Sequence, residues 1–305
     1  MQSIIGILII LGCVFGAFVF HGGALSMIWQ PVELVIIVGA GAGALVLGNP
    51  GHVLSELWLQ VRKVMLRKKP GEDFQRQLLL LMYELLQTAA GGLKALDAHV
   101  EAPHESALFK RYPLILEEPK LLHFIVDNFR LMAMGKINAH ELEGVLEQEI
   151  EAIHEELMQP AKSLAKIGEA MPGFGILAAV LGIVMTMNVV ADGAAIGEIA
   201  VRVGAAMVGT FIGIFMCYGL LDPISMMMKQ LVAEEMQALE SVKVVLCTHV
   251  AGKPPLLAID AGRRLVQLNI KPSFAVLEGW IDKMQNAGDP DATPQRRAGD
   301  KRVEA

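Results

Sequence analysis

Four stretches of this sequence carry no Asp, Glu, Lys or Arg: residues 1–32, 34–55, 170–191 and 203–221. The hydrocarbon core of a bilayer is about 30 Å thick, so a crossing helix needs roughly 20 mainly apolar residues. Within lipid a helix satisfies its own backbone polar groups. These stretches therefore predict an all-α, polytopic membrane protein with four transmembrane helices, near 2–21, 33–50, 170–190 and 203–222, and a helical cytoplasmic domain. The first stretch lacks a basic leading region and a small-x-small cleavage site, and its apolar run is too long for a signal peptide. It reads as an uncleaved span.

Basic residues set the orientation. Of 26 Lys and Arg, 14 lie in 50–169 and 11 in 223–305, and the last is Arg202, in the short loop between spans three and four. The loop between spans one and two, His21 to Gln30, has none. The positive-inside rule places the middle segment, the tail and both termini in the cytoplasm.

The rest of the composition removes other classes. Apolar residues make up 53% and charged residues 19%, which excludes disorder for most of the chain. A net charge of −6 attracts no phosphate backbone, so no nucleic-acid partner is expected. Three cysteines without repeated spacing suggest neither disulfides nor a zinc site.

The pattern divides the chain into a transmembrane hairpin (1–50), a cytoplasmic helical domain (51–169), a second transmembrane pair (170–223), cytoplasmic helices (224–285) and a disordered, polar tail (286–305). In span two, Gly39, Gly41, Gly43 and Gly48 suit close helix packing. In the cytoplasmic part, Phe74 to Leu86 has helical apolar spacing. Pro103, Pro113 and Pro119 break the pattern, and a long amphipathic run from Leu121 to Leu157 has Gly135 as its interruption. A helix from Ser225 to about Thr248 ends at Pro254 and Pro255, and a shorter one follows from Leu256 to Leu268.

No enzyme motif is present, and no cofactor or metal is called for. The Gly-rich run at Gly39 to Gly43 lies inside an apolar span with no preceding strand, so it is not a nucleotide loop. His99 and His104 are spaced poorly for a shared metal and read as satisfied or exposed histidines. The informative pair is spans three and four. Thr210 sits well inside span four. Its hydroxyl either bonds back to the Ala206 carbonyl or lines a wet path for a small cation. None of the four spans holds a deep carboxylate, since Glu33 lies at the outer mouth of span two and Asp222 at the inner end of span four. If the chain conducts ions, the ion-binding carboxylate belongs to another polypeptide. Pro172 and Pro223 bound the pair on the cytoplasmic side. Pro172 reads as a helix-start proline and Pro223 as a membrane-edge bend, or both as hinges.

The hairpin GGALSMIWQPVELVIIVGAGAGALVLGN, the segment YPLILEEPKLLHFIVDNFRLM and the runs MPGFGILAAVLGIV and AMVGTFIGIFMCYGLLDPIS together resemble the MotA family. MotA proteins are flagellar-motor stator subunits within the larger MotA/TolQ/ExbB proton-channel group. The resemblance runs in order from residue 1 to about 285. It implies a pentamer around a dimer of MotB, whose single span supplies the ion-binding Asp, with torque delivered to the rotor protein FliG. It also implies that Thr210 and Ala179 line the ion pathway and that Pro172 and Pro223 couple span motion to the cytoplasmic helices. Ala179 matches the position that is Ala in proton-driven stators and Thr in sodium-driven ones, so the resemblance implies proton coupling. In the rotor-facing segment the family's usual Arg is replaced by Ala89 and Ala90. Asp97 matches the acidic position, and Lys94 is the nearest basic residue. Other readings are a sodium-driven stator, an ExbB- or TolQ-like energiser and a non-conducting scaffold. Ala179 argues against the first, and the additional hairpin against the second.

Overall fold

The computed structural model describes residues 2–66, 71–135, 137–191 and 195–288. Among these residues every regular element is helical. In chain order they are α1 (Gln2–Phe20), α2 (Leu25–Ile28), α3 (Pro31–Gly48), α4 (Gly51–Leu66), α5 (Glu72–Ala90), α6 (Leu93–Val100), α7 (Pro113–Leu116), α8 (Pro119–Ala133), α9 (Ala139–Ala191), α10 (Ile196–Ile214), α11 (Asp222–Val250), α12 (Pro255–Arg263) and α13 (Phe274–Gly288). A 3₁₀ turn covers Phe109–Arg111, and a π-helical segment, Phe215–Leu221, joins α10 to α11.

Among the described residues three helices are long and apolar enough to cross a membrane: α3, α9, and the continuous run Ile196–Val250. The fourth expected span falls on α1, where the apolar stretch Ile5–Phe20 is shorter.

The structure corrects several boundaries. The helix that carries span three does not begin at Pro172. The span is the C-terminal part of α9, a 53-residue helix with Pro160 and Pro172 in its interior. Pro172 is therefore no helix-start proline. Arg202 lies inside α10 and not in a loop, paired with Glu198 one turn earlier at 3.0 Å. The helix expected at Leu256 to Leu268 ends at Arg263. The tail was expected to begin at Asn286, but α13 continues to Gly288, and residues 289–305 lie outside the described residues.

The chain forms two compact units, residues 1–69 with 148–236 and residues 70–147 with 237–305. In the second, α5 is the centre. Leu78, Leu79, Met82, Leu85 and Leu86, the positions of its helical apolar spacing, are fully buried. Phe109, Ile115, Phe124, Ile125, Phe129 and Ile259 are likewise buried in this unit. Pro113 and Pro119 do not merely interrupt. Each occupies the first turn of a helix, where a missing N–H costs nothing. Gly135 ends the α8 segment with φ +72°, a conformation that side chains resist. Asn138 then caps α9. Its Oδ1 accepts from the His140 and Glu141 amides at 3.0 and 2.9 Å, and Glu141 Oε2 accepts the Asn138 amide at 3.3 Å.

Candidate functional site

In the first unit α9 and α10 meet along a seam of small residues. A Cβ built on Gly175 would stand 2.8 Å from the Gly209 carbonyl oxygen, and one on Gly213 would stand 2.6 Å from the Met171 carbonyl oxygen. A Cβ on Gly182 would be 3.0 Å from the Ala206 Cβ, and one on Gly209 would be 3.4 Å from the Ala178 Cβ. Gly175, Ala178 and Gly182 on one helix thus face Ala206, Gly209 and Gly213 on the other. Lipid gives no hydrophobic reason for two helices to associate, so close backbone approach with dense van der Waals contact takes that role. From α3, Gly41 and Ile37 join this seam: the Met171 side chain fills the space beside Gly41, and Ile37 is buried with Met171, Ala178 and Ile212. The other span-two glycines, Gly39, Gly43 and Gly48, have nothing within 4 Å of an added Cβ, so within the described residues of this chain Gly41 is the one of the four that meets another helix.

The two polar threonines of this pair differ. Thr186 is buried, and its hydroxyl donates to the Gly182 carbonyl at 2.8 Å, the self-contained bond that quiets a hydroxyl in a helix. Thr210 is half-buried, and no such bond to Ala206 forms; among the described residues its hydroxyl makes no hydrogen bond. Ala179 is also half-buried and lies beside Gly209, whose added Cβ would be 3.5 Å from the Ala179 nitrogen. The structure thus brings Thr210 and Ala179 to one seam, since Gly175 and Gly209 touch both helices there. Among the described residues the carboxylates around this seam lie outside its middle: Glu33 in the first turn of α3, Glu198 in the first turn of α10, Asp222 at the start of α11, and Glu169 within α9, two residues before Met171.

Both prolines sit in continuous helix. Pro223 has no N–H, and in an ordinary α-helix its ring would clash with the carbonyl four residues back, at Gly219. The wider π turn Phe215–Leu221 lies just where that conflict falls. Gly168, whose carbonyl Pro172 leaves without its helical donor, lies against Leu221 of the π segment. The two proline irregularities are therefore adjacent. Below them, side chains brace α9. Asn49 and Ser163 bond at 2.5 Å, Gln60 Nε2 donates to the Leu157 carbonyl at 2.9 Å, and the Ser225 hydroxyl donates to the Ala161 carbonyl at 2.9 Å. Lys63 and Glu235 pair at 3.0 Å. Sequence reading missed these braces, because each joins residues 64 to 172 positions apart.

In the second unit, Asp97 is exposed on α6, and Lys94 precedes it by one turn on the same helix. The side chain of Lys94 lies outside the described residues. Near α6 is a charged group that sequence reading overlooked. Glu84 of α5 is buried, and Arg111 reaches it at 2.7 Å. Burial pushes the Glu84 carboxyl above its usual range, while Arg111 and the Tyr112 hydroxyl oppose that rise. The same burial, and the charge of Glu84, push the Tyr112 phenol up. His99 has a hydrogen-bond partner: its Nδ1 lies 2.8 Å from the Ser106 hydroxyl, which also accepts the Leu108 and Phe109 amides. The Arg130 guanidinium donates to the Val100 carbonyl at 3.2 Å and fastens the C-terminal end of α6.

Comparison with known proteins decides the family. The model of the motility protein A N-terminal region matches residues 4–92, and that of the MotA/TolQ/ExbB proton channel family matches residues 119–241. The chain belongs to the MotA family. Chemotaxis protein LafT of Vibrio parahaemolyticus is 52% identical over 288 residues, covering 93% of this chain and 100% of that one. Motility protein A of Escherichia coli K12 is 37% identical over 287 residues, covering 94% and 97%. The MotAB structure from C. jejuni matches this MotA-family chain with a TM-score of 0.71 at 15% identity, covering 88% of this chain and 96% of that one. The flagellar MotAB stator complex from Bacillus subtilis matches with a TM-score of 0.65 at 21% identity, covering 90% and 98%. At such low identity the structures establish a shared fold. As a MotA-family protein, this chain is a stator subunit of the bacterial flagellar motor within a proton channel family.

Proposed function

We propose that this MotA-family subunit crosses the inner membrane four times, with both termini in the cytoplasm, and conducts protons along the α9–α10 seam only together with a MotB partner. The observation that carries this reading is a hydroxyl without its carboxylate. Thr210 keeps its oxygen free of the helix carbonyl on a glycine-packed seam that has no acid of its own. A proton relay at membrane depth needs a titratable group, and the single-span partner supplies its Asp. Thr210 then offers one oxygen to the proton or its water. Ala179 withholds a second, which a dehydrated sodium ion would need.

Several copies of the chain, five in the family pattern, surround a dimer of the partner. The paired irregularities at Pro172 and Pro223 are the points where a shift of the spans passes into the cytoplasmic helices. On the cytoplasmic side α6, with Asp97 and Lys94, meets the rotor protein FliG. The absence of the family's Arg at Ala89 and Ala90 leaves this contact to other charges. The domain limits follow the same division, with the hairpin 1–50 and the pair 170–223 in lipid.

The test is complementation. A strain lacking its own stators, given this chain and its MotB partner, swims with a speed that follows the proton-motive force and ignores external sodium. Swimming that stops on sodium removal would overturn proton coupling.

A further inference from the structure

From α10 through the π segment into α11 the helix keeps a period of four. The buried positions Gly209, Gly213, Cys217 and Ser225 recur at multiples of four, and so do the exposed ones beside them, Ile214, Tyr218 and Met226. An α-helix has 3.6 residues per turn, so a residue eight positions on lies about 80° round the axis. The π turn, bonded from i to i+5, takes roughly 4.4 residues and cancels most of that drift. Thr210, Ile214, Tyr218 and Asp222 therefore stand in one line along the axis. That line holds every oxygen-bearing side chain of residues 203–224: Thr210, Tyr218 and Asp222. Tyr218 is 69% exposed, and among the described residues neither its hydroxyl nor the Asp222 carboxylate makes a hydrogen bond or ion pair. A tyrosine of the membrane boundary would explain the ring, but not its alignment with a threonine and a carboxylate.

We propose that Tyr218 and Asp222 carry the proton path from Thr210 to the cytoplasm, with water bridging the intervals. The proposal rests on the proton-path reading above and extends it by two residues. The phenol relays without ionising. Its oxygen accepts a hydrogen from a protonated water as its own hydrogen passes to the next water, so it is neutral before and after. The Asp222 carboxylate then takes the proton, becomes a carboxylic acid and returns the proton to cytoplasmic water. The π segment beside Pro223 gains a role from this. Were Phe215–Leu221 ordinary α-helix, Tyr218 would swing roughly 70° off the line.

The test is proton flux into liposomes that hold the complex with a MotB partner whose periplasmic plug is deleted. Tyr218→Phe keeps the ring and removes the oxygen, and it should lower the flux about tenfold at unchanged complex yield. Asp222→Asn should also lower it, and Asp222→Glu should restore it. Flux unchanged in Tyr218→Phe or in Asp222→Asn, while Thr210→Val lowers it, overturns this extension and leaves the shared path standing. A wild-type complex that conducts no protons overturns both. Thiol labelling gives a readout independent of conduction. In a complex whose native cysteines are replaced by alanine, a water-soluble reagent should modify Tyr218→Cys much faster than Leu220→Cys. Equal rates would show that the line is no wetter than its flank and would overturn the proposal.

Discussion

Gly175 and Thr210 touch across the α9–α10 seam: a Cβ at position 175 would lie 3.2 Å from the Thr210 Cα. The same added atom would meet the Gly209 carbonyl at 2.8 Å, so backbone stands on both sides and no flexible side chain can yield. The free hydroxyl of Thr210 is thus held on a seam whose width glycine sets. This leads to a first expectation. Gly175→Ala should force the helices apart at a cost of about 1–3 kcal/mol. Ile183→Ala, at an exposed position of the same helix, should cost far less. Thermal unfolding of the detergent-extracted complex measures both.

Thr210→Val keeps the side-chain volume and removes the oxygen. Membrane insertion and complex yield should stay normal, while proton conduction drops roughly tenfold, the size of one lost hydrogen bond to a charged group. Torque on tethered cells reads the loss. Thr186→Val serves as the control, because its hydroxyl is already occupied by the Gly182 carbonyl. It should leave conduction largely intact.

Pro223→Ala restores the N–H whose absence the π segment accommodates, so Phe215–Leu221 should tighten toward ordinary helix. The expected outcome is an assembled, membrane-inserted complex with reduced torque. Crosslinking yield between subunits separates this from simple misassembly, which would lower yield and torque together.

In the second unit Asp260 is buried and receives Arg263 Nε at 2.8 Å and Arg264 Nε at 2.9 Å. Burial pushes its carboxyl up, but the two guanidinium groups outweigh that and hold it below the usual 3.8. With the folded value lowered, its stabilisation is fully present above 3.8 and is lost as pH falls from there through the lowered value. Asp260→Asn should destabilise the unit by about 3 kcal/mol at neutral pH, because Arg263 is left buried without its partner. It should also remove part of the acid sensitivity. Chemical denaturation at neutral and acidic pH checks both.

Glu84 has the opposite sign. Its carboxyl is raised above 4.5 chiefly by burial, so the folded unit holds that proton longer than the unfolded chain. Its contribution therefore weakens as pH rises from 4.5 through the raised value. Glu84→Gln should flatten this slope. Arg111→Ala should steepen it at a cost of about 1 kcal/mol, since Arg111 itself remains largely in solvent. Unfolding midpoints measured across that range give the slopes directly.

What was legible in the sequence is what local pattern encodes. Uncharged length marked the apolar helices, the spacing of Leu78 to Leu86 marked α5, and Gly135 marked a helix end. Close packing was expected of the span-two glycines, whereas the tightest approaches fall at Gly175, Gly209 and Gly213, and the sequence does not say which glycine meets which. Pro172 misled because proline in an isolated helix costs a hydrogen bond and a clash. Here α9 continues through it, packed on α3 and on the π segment. The state of Thr210 was undecidable from position, since a bond to the i−4 carbonyl is equally open to Thr186, which makes it. Glu84 and Arg111, 27 positions apart, meet only because the chain folds back and buries one of them. Long-range polar pairs have no local spacing to read.

The central claim is a proton path completed by a second chain. The measurement that tests it most directly is cytoplasmic pH in cells expressing this chain alone, with a MotB partner whose periplasmic plug has been deleted, and with that partner's Asp changed to Asn. The account predicts acidification only when this chain and the intact Asp are both present, and its reduction by Thr210→Val. An unchanged cytoplasmic pH in the presence of a verified membrane complex would contradict it.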